Sequence, residues 1–297
     1  MGARDSSSDV RGAADMAADF ALAAARAFAK RALWRSAGGS TSSAEYCASV
    51  WSTHMHRILD AGAPLPRHLA ELGPGNSVGV CLAALLSGVE TAVALDVARY
   101  RPLRNPEMLE ELVRLLEARP ASDRAMAVVG PERLAHLREL AQRGQIVRYV
   151  APWNDQSAIE RASVDTIIST AVLEHVDDLD GTYAAMALWL APGGWMSHSI
   201  DLGSHKTSRH WNGHWRYPDR AWRLVAPPRG GMNREPASAH IRAAESAGFR
   251  IVRLDRDLGS GLPPSALGAR WRSLDPEDLA TRSIYLLAVK RASGESG

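Results

Sequence analysis

From Arg67 to Lys290, short apolar strands alternate with helices at close spacing, and this alternation admits little besides a parallel, doubly wound sheet. Residues 68–72 predict a first strand, residues 78–86 a helix, and residues 91–96 a second strand centred on Val93-Ala94-Leu95. Helices are expected over residues 106–117 and 131–142, a third strand over 146–150 and a fourth over 164–169. A helix over 178–190 leads through the turn Ala191-Pro192-Gly193-Gly194 into a fifth strand, 195–201. A helix over 237–247, a strand over 249–254 and a last strand over 283–290 complete the pattern, and no internal repeat is visible.

Upstream, residues 1–9 read as a disordered leader, followed by a helix to about Trp34 and a Gly/Ser/Thr linker over 36–43. Residues 46–59 place Tyr46, Val50, Trp51, Met55 and Ile58 at helical spacing and stop at Gly62 and Pro64. The stretch 203–235 fits neither period; with Trp211, Trp215, Trp222, several arginines and three histidines it reads as a cap inserted over the strand ends. The expected division is therefore 1–43 as leader, helix and linker, and 44–297 as one α/β domain with the cap at 203–235. A chain of 297 residues can bury one core of that size.

A formal net charge of +2 demands no polyanionic partner, so nucleic acid is not expected. Cys47 and Cys81 belong to no CxxC or Cys/His cluster, which excludes a zinc ribbon, and Cys81 falls in an apolar helix as an inert thiol. That usage suits the reducing cytoplasm. No apolar run reaches the ~20 residues of a membrane span, and Arg4, Asp5, Asp9, Arg11 and Asp15 are out of place in a signal peptide.

In a doubly wound sheet the ligand sits at the carboxyl ends of the strands, near the point where strand order reverses. The first strand ends in Glu71-Leu72-Gly73-Pro74-Gly75, followed by Asn76-Ser77-Val78-Gly79. Gly73 permits a tight turn, Gly75 admits a ligand where a Cβ would clash, and Ser77 is placed to cap the next helix. Gly79 comes one residue late for the G-x-G-x-x-G of dinucleotide binding. A helix N-terminus with no pyrophosphate to hold suits an amino-acid carboxylate instead. Asp96 ends the second strand, where an acid accepts both ribose hydroxyls or else caps a helix. Loop and acid together fit both NAD and S-adenosylmethionine.

The run Ser163-Val164-Asp165-Thr166-Ile167-Ile168-Ser169-Thr170-Ala171-Val172-Leu173-Glu174-His175-Val176 closely resembles the fourth-strand motif of class I S-adenosylmethionine-dependent methyltransferases, with a type 11-like methyltransferase domain. Leu188-Trp189-Leu190-Ala191-Pro192-Gly193-Gly194 resembles their turn into the fifth strand. His198-Ser199-Ile200-Asp201-Leu202, then His205, is similar to a narrower branch with a His-x-Ile-Asp-Leu segment, as are Met232-Asn233-Arg234 and Ala247-Gly248-Phe249. The resemblance runs in order from about Tyr46 to Val289. It implies a seven-stranded Rossmann-like sheet in the order 3-2-1-4-5-7-6, the last strand antiparallel, with an N-terminal helical extension and an insertion after strand 5. It implies S-adenosylmethionine as cofactor, with Glu71, Gly73 and Gly75 in its loop and Asp96 on the ribose. Asn154 and Asp155 fall on the adenine side, and Ser169 and Thr170 beneath the methyl group.

Methyl transfer from a sulfonium is an in-line displacement, so the enzyme positions the acceptor and removes a proton where needed. A histidine, titrating near neutrality, suits an alcohol or phenol. His175 is one candidate, and it equally suits fixing its loop. His198, Asp201 and His205 form another group, readable as a base with its orienting carboxylate, as metal ligands, or as a hydrogen-bond network holding the insertion. Strand alternation puts His198 and Asp201 on opposite faces, so no metal is expected. Arg209, Trp211, Trp215, Arg216, Trp222 and Arg223 suit an acceptor with a ring and an acidic group, or a cap cored by its own aromatics. The expected function is O-methylation of a small-molecule acceptor, a sugar or secondary metabolite. The alternatives are an enzyme that consumes S-adenosylmethionine without methylating, releasing methylthioadenosine, or a non-catalytic partner that binds the cofactor.

Overall fold

A computed structural model describes residues 16–24, 42–97, 105–119, 123, 125–153, 156–226 and 231–291. Seven strands form one sheet in the order β3-β2-β1-β4-β5-β7-β6. They are β1 (His68–Leu72), β2 (Thr91–Leu95), β3 (Arg148–Val150), β4 (Val164–Thr170), β5 (Leu190–Asp201), β6 (Phe249–Leu258) and β7 (Thr281–Lys290). The first five are parallel, and β7 runs antiparallel to both β5 and β6. Strand order reverses between β1 and β4, which opens the crevice at their carboxyl ends.

Central strands covered on both faces bury most of their length, and Leu69, Ala70 and Leu72 of β1 are buried along with the polar Glu71. On one face lie α1 (Ala44–Asp60), α2 (Gly79–Leu86), α3 (Asn105–Glu117) and α4 (Pro131–Gln142). The Ser43 side chain caps α1 by accepting the Tyr46 N–H at 3.2 Å. Helix α2 is buried at every position, which is why its apolar residues show no amphipathic stripe. On the other face α5 (Leu179–Trp189) and α7 (Ala237–Ser246) pack Tyr183, Met186 and Ala243 against Phe249, Met196 and Leu286. Asp178 caps α5 through the Gly181 N–H at 2.9 Å.

Several expected boundaries move. β3 pairs only over residues 148–150, because β2 offers just Val93, Ala94 and Leu95 to that edge; Ile146 and Val147 are buried without a ladder partner. β5 begins at Leu190 and runs through the expected Pro-Gly-Gly turn, its register shifting against β4 between Val164 and Thr166. Ser77 does not cap α2: Val78 holds that position with no side-chain bond, and the Ser77 hydroxyl accepts the Gly79 N–H at 3.3 Å. β6 continues to Leu258, beyond the expected end.

The stretch after β5 contains turns, a 3-10 turn Gly213–Arg216 and a short helix, α6 (Asp219–Val225). Its aromatics pack on one another: Trp211 meets Trp215 edge-on at 5.6 Å, and Tyr217 stacks on Trp222 at 6.1 Å. The indole N–H groups of Trp215 and Trp222 donate to the carbonyls of Arg234 (2.9 Å) and Met232 (3.3 Å). Residues 16–24 are helical and dock here, where buried Asp19 accepts the Ser208 hydroxyl at 2.8 Å and the Arg209 guanidinium at 3.2 Å. The rest of the expected leader, helix and linker lies outside the described residues, apart from Ser42 and Ser43. Among the described residues no helix is long and apolar enough to cross a membrane.

Candidate active site

The chain leaves β1 through Gly73, whose N–H still donates to the Leu95 carbonyl of β2 at 2.8 Å before the backbone turns. Gly73 has φ +64°, and a Cβ there would lie 2.4 Å from Cγ2 of Val172 on the neighbouring β4 loop. Gly75 has φ +70°. A small cleft opens over this turn, lined by Glu71, Gly73, Pro74, Thr170 and three residues of α1, Tyr46, Cys47 and Val50. A wider depression, between the start of α5 and α7, is lined by Asp178, Asn233 and Arg242 and lies away from that turn.

Glu71 is buried at the back of the cleft, where it accepts the Cys81 thiol at 3.1 Å. Burial pushes its carboxyl up to about 7, and burial with the Glu71 charge drives the Cys81 thiol well above its ordinary range. Asp96 is buried at the end of β2 and its Oδ1 accepts the Val97 N–H at 2.7 Å. The Asp96 carbonyl accepts the Trp153 N–H at 3.0 Å, which ties the end of β2 to the segment after β3. Asn154 and Asp155, expected on the adenine side, lie outside the described residues.

Ser169 and Thr170 part company, as adjacent strand residues must. Ser169 turns to the α5 face and pairs with His198 Nδ1 at 2.7 Å; Thr170 turns to the α1 face and reaches the cleft. Thr170 Oγ1 lies 3.0 Å from His54 Nε2, whose Nδ1 lies 2.6 Å from Ser197 Oγ, itself 2.5 Å from the Tyr285 hydroxyl. Neither His54 nor Cys47 is among the expected site residues, Cys47 reading only as a thiol outside any cysteine cluster. Their signal was position, since Cys47, Trp51, His54 and Ile58 make one buried stripe of α1.

At the ends of β4 and β5 a second group assembles. Asp201 Oδ2 lies 3.0 Å from His205 Nε2, and Asp201 Oδ1 accepts the Gly203 N–H at 2.8 Å. The His205 bond holds the Asp201 carboxyl below its usual range. The rings of His175 and His205 stand 5.0 Å apart. Glu174, absent from the expected site, brings a carboxylate oxygen within 4.8 Å of a ring nitrogen of each; it is 1 % exposed, and its Oε1 accepts the Asp201 N–H at 3.4 Å. Burial pushes the Glu174 carboxyl up to about 8. His205 is held with φ +45°.

His198 is not part of this group. It is wholly buried between Ser169 and Tyr183, and burial pushes its imidazole down to about 3. The structure thus brings His175, Asp201 and His205 together and leaves His198 on the opposite face of the sheet. The expected Arg and Trp side chains of the cap are mostly spent internally. Trp215 and Trp222 are buried, and Arg209 pairs with Asp19. Arg234 is buried too, with its guanidinium over Trp222 and Trp271 and against Asp219.

A family model described as "Methyltransferase domain" matches residues 44–254. No curated protein matches the sequence. Among solved structures, the chain is similar to an S-adenosylmethionine-dependent methyltransferase from Mesorhizobium loti, at 16% identity over 79% of this chain and 96% of that one, with a TM-score of 0.40. It is similar to a protein from Listeria monocytogenes provisionally classed as an S-adenosylmethionine-dependent methyltransferase, at 14% identity over 82% of this chain and 99% of that one, TM-score 0.44. A third is phosphoethanolamine N-methyltransferase 2 of Haemonchus contortus in complex with S-adenosyl-L-methionine, at 14% identity over 81% of this chain and 53% of that one, TM-score 0.43.

Proposed function

The chain belongs to the methyltransferase-domain family, whose methyl donor is S-adenosylmethionine, and from that premise we propose that it methylates an oxygen of a small-molecule acceptor. The observation that carries the proposal is the adjacency of two groups at the strand ends. The loop Glu71 to Gly75 packs through Gly73 on Val172, whose carbonyl accepts the N–H of His175, a member of the cluster Glu174, His175, Asp201 and His205, at 2.8 Å. In this reading Gly73 and Gly75 clear space for the amino-acid portion of the cofactor, and Glu71 lies beneath it. Asp96 takes the ribose hydroxyls, and Thr170 faces the methyl group.

The histidine cluster then receives the acceptor hydroxyl and assists its deprotonation, which oxygen requires and a sulfonium cannot supply. His198 is assigned to the core. A near-neutral chain favours a small acceptor over nucleic acid. The segment from Gly203 to Glu235 acts as a cap on the domain 44–297.

The test is product analysis. Purified protein is incubated with methyl-labelled S-adenosylmethionine, with and without a small-molecule cell extract, and the sulfur product is identified. Extract-dependent S-adenosylhomocysteine with label in an alkali-stable ether is expected. Methylthioadenosine would instead assign the chain to the non-methylating chemistry, and folded protein that does not bind the cofactor in calorimetry would defeat the reading.

A further inference from the structure

We propose that Glu174, His175 and His205 hold a divalent first-row transition cation, through which the acceptor hydroxyl is bound. This deepens the proposed function and rests on it for the acceptor. One donor atom from each of the three residues lies within 4.8 Å of those of the other two. Donors about 2.1 Å from one tetrahedral ion stand ~3.4 Å apart, so closing the site brings the most distant donors together by on the order of 1 Å.

The chemistry of the donor set is specific. Two imidazoles with one carboxylate suit a borderline ion such as Zn²⁺, Co²⁺ or Ni²⁺ better than Ca²⁺ or Mg²⁺, which prefer all-oxygen shells. Three protein donors leave at least one position open, as in sites where a metal meets substrate.

A second observation points the same way. Glu174 is 1 % exposed, and its Oε2 is buried with no hydrogen-bond partner among the described residues. A carboxylate oxygen is seldom left so. Asn233 steadies the turn that carries this carboxylate: its backbone N–H donates to the Glu174 carbonyl at 2.8 Å, and its side chain donates to the carbonyls of Leu173 (2.8 Å) and Val176 (3.1 Å). Asp201 orients the His205 ring, the outer-shell arrangement common for metal-bound histidines. The cluster stands beside Val172, which contacts Gly73 of the cofactor turn. A ligated hydroxyl there would give its proton to solvent. Its oxygen would bond the methyl carbon as the carbon–sulfur bond breaks, leaving S-adenosylhomocysteine.

The experiment uses the tag-free full chain, stripped with chelator and titrated with Co²⁺, followed by visible absorption and calorimetry. S-adenosylmethionine binding is measured on the same samples. One Co²⁺ per chain is expected, weakened at least tenfold in both Glu174→Gln and His205→Ala. These lie on different segments, so one misfolded variant leaves the other decisive. Absent or non-saturating Co²⁺ binding, or equal binding in the variants, overturns the site. Cofactor binding without Co²⁺ binding overturns the cation site alone. Co²⁺ binding without cofactor binding overturns the transfer reading and leaves the site standing.

Discussion

Gly73 carries two constraints at once, and they are separable by mutation. Its φ of +64° is costly for any residue with a Cβ, and that Cβ would strike Val172 Cγ2 at 2.4 Å. Gly62 has φ +83° with open space around it, so Gly62→Ala meets the backbone cost alone. Gly73→Ala is expected to destabilise by about 1–3 kcal/mol, more than Gly62→Ala, and to weaken S-adenosylmethionine binding at least tenfold. Adding Val172→Ala should recover part of the stability, because it removes the clash and leaves the φ. Thermal melts and calorimetry of the three variants check this; equal effects of Gly73→Ala and Gly62→Ala would sink it. The glycine turn and Asp96 were legible because backbone conformation and strand-end position leave marks in sequence. Glu174 was not, since its burial follows from Asn233, some sixty residues on, fastening its turn.

Elements were legible in proportion to their length and to the clarity of their period. Residues 46–59 announce α1 through a stripe that the core then covers, and α3 buries Leu109, Leu112, Val113 and Leu116 at helical spacing. Helix α6 has seven residues, two turns at most, and its buried Trp222 and Val225 pack on Tyr217, Met232 and the helical residues 16–24 and not on the sheet, so no period emerges. The segment after α6 is fastened to the β4 loop through Asn233. Asn233 donates two side-chain bonds into residues 173–176 and accepts the Glu235 N–H at 3.0 Å. Asn233→Ala is expected to cost about 1–3 kcal/mol, since it strands carbonyls that lie partly out of water. Asn233→Asp keeps the acceptor and loses both donors, so urea titration should find most of the loss there too. A wild-type midpoint in Asn233→Asp would remove the donors from the account.

At the scale of the whole molecule the alternation of strands and helices made the doubly wound class readable, whereas the order 3-2-1-4-5-7-6 came from the resemblance to class I methyltransferases and not from the alternation. The buried histidines were not readable, since nothing in composition separates an interior imidazole from a surface one. Four of them, His54, His198, His214 and His240, are pushed by burial from an ordinary 6.5 down to about 3. They stay neutral in the folded chain and titrate on unfolding, so the stability they allow is complete above 6.5 and lost as pH falls toward 3. Glu71 and Glu174 act oppositely: burial raises them from an ordinary 4.5 to about 7 and about 8, so the folded state holds their protons longer. Between pH 8 and 6.5 these two carboxyls dominate, and mild acidification stabilises the apo chain. Between 6.5 and 4.5 the unfolded chain binds about two protons more than the folded one, and stability falls, by on the order of 1–3 kcal/mol per pH unit. Below 4.5 the unfolded carboxylates protonate as well, the compensation ends, and the slope steepens. Urea unfolding of the metal-free protein from pH 8 to 3.5 should therefore give a maximum near 6.5–7 and a second bend near 4.5. Glu71→Gln should remove part of the gain on the alkaline side while leaving the acid limb below 4.5 unchanged. A profile flat from pH 6.5 to 4 would mean that the imidazoles are charged in the folded chain, against their burial.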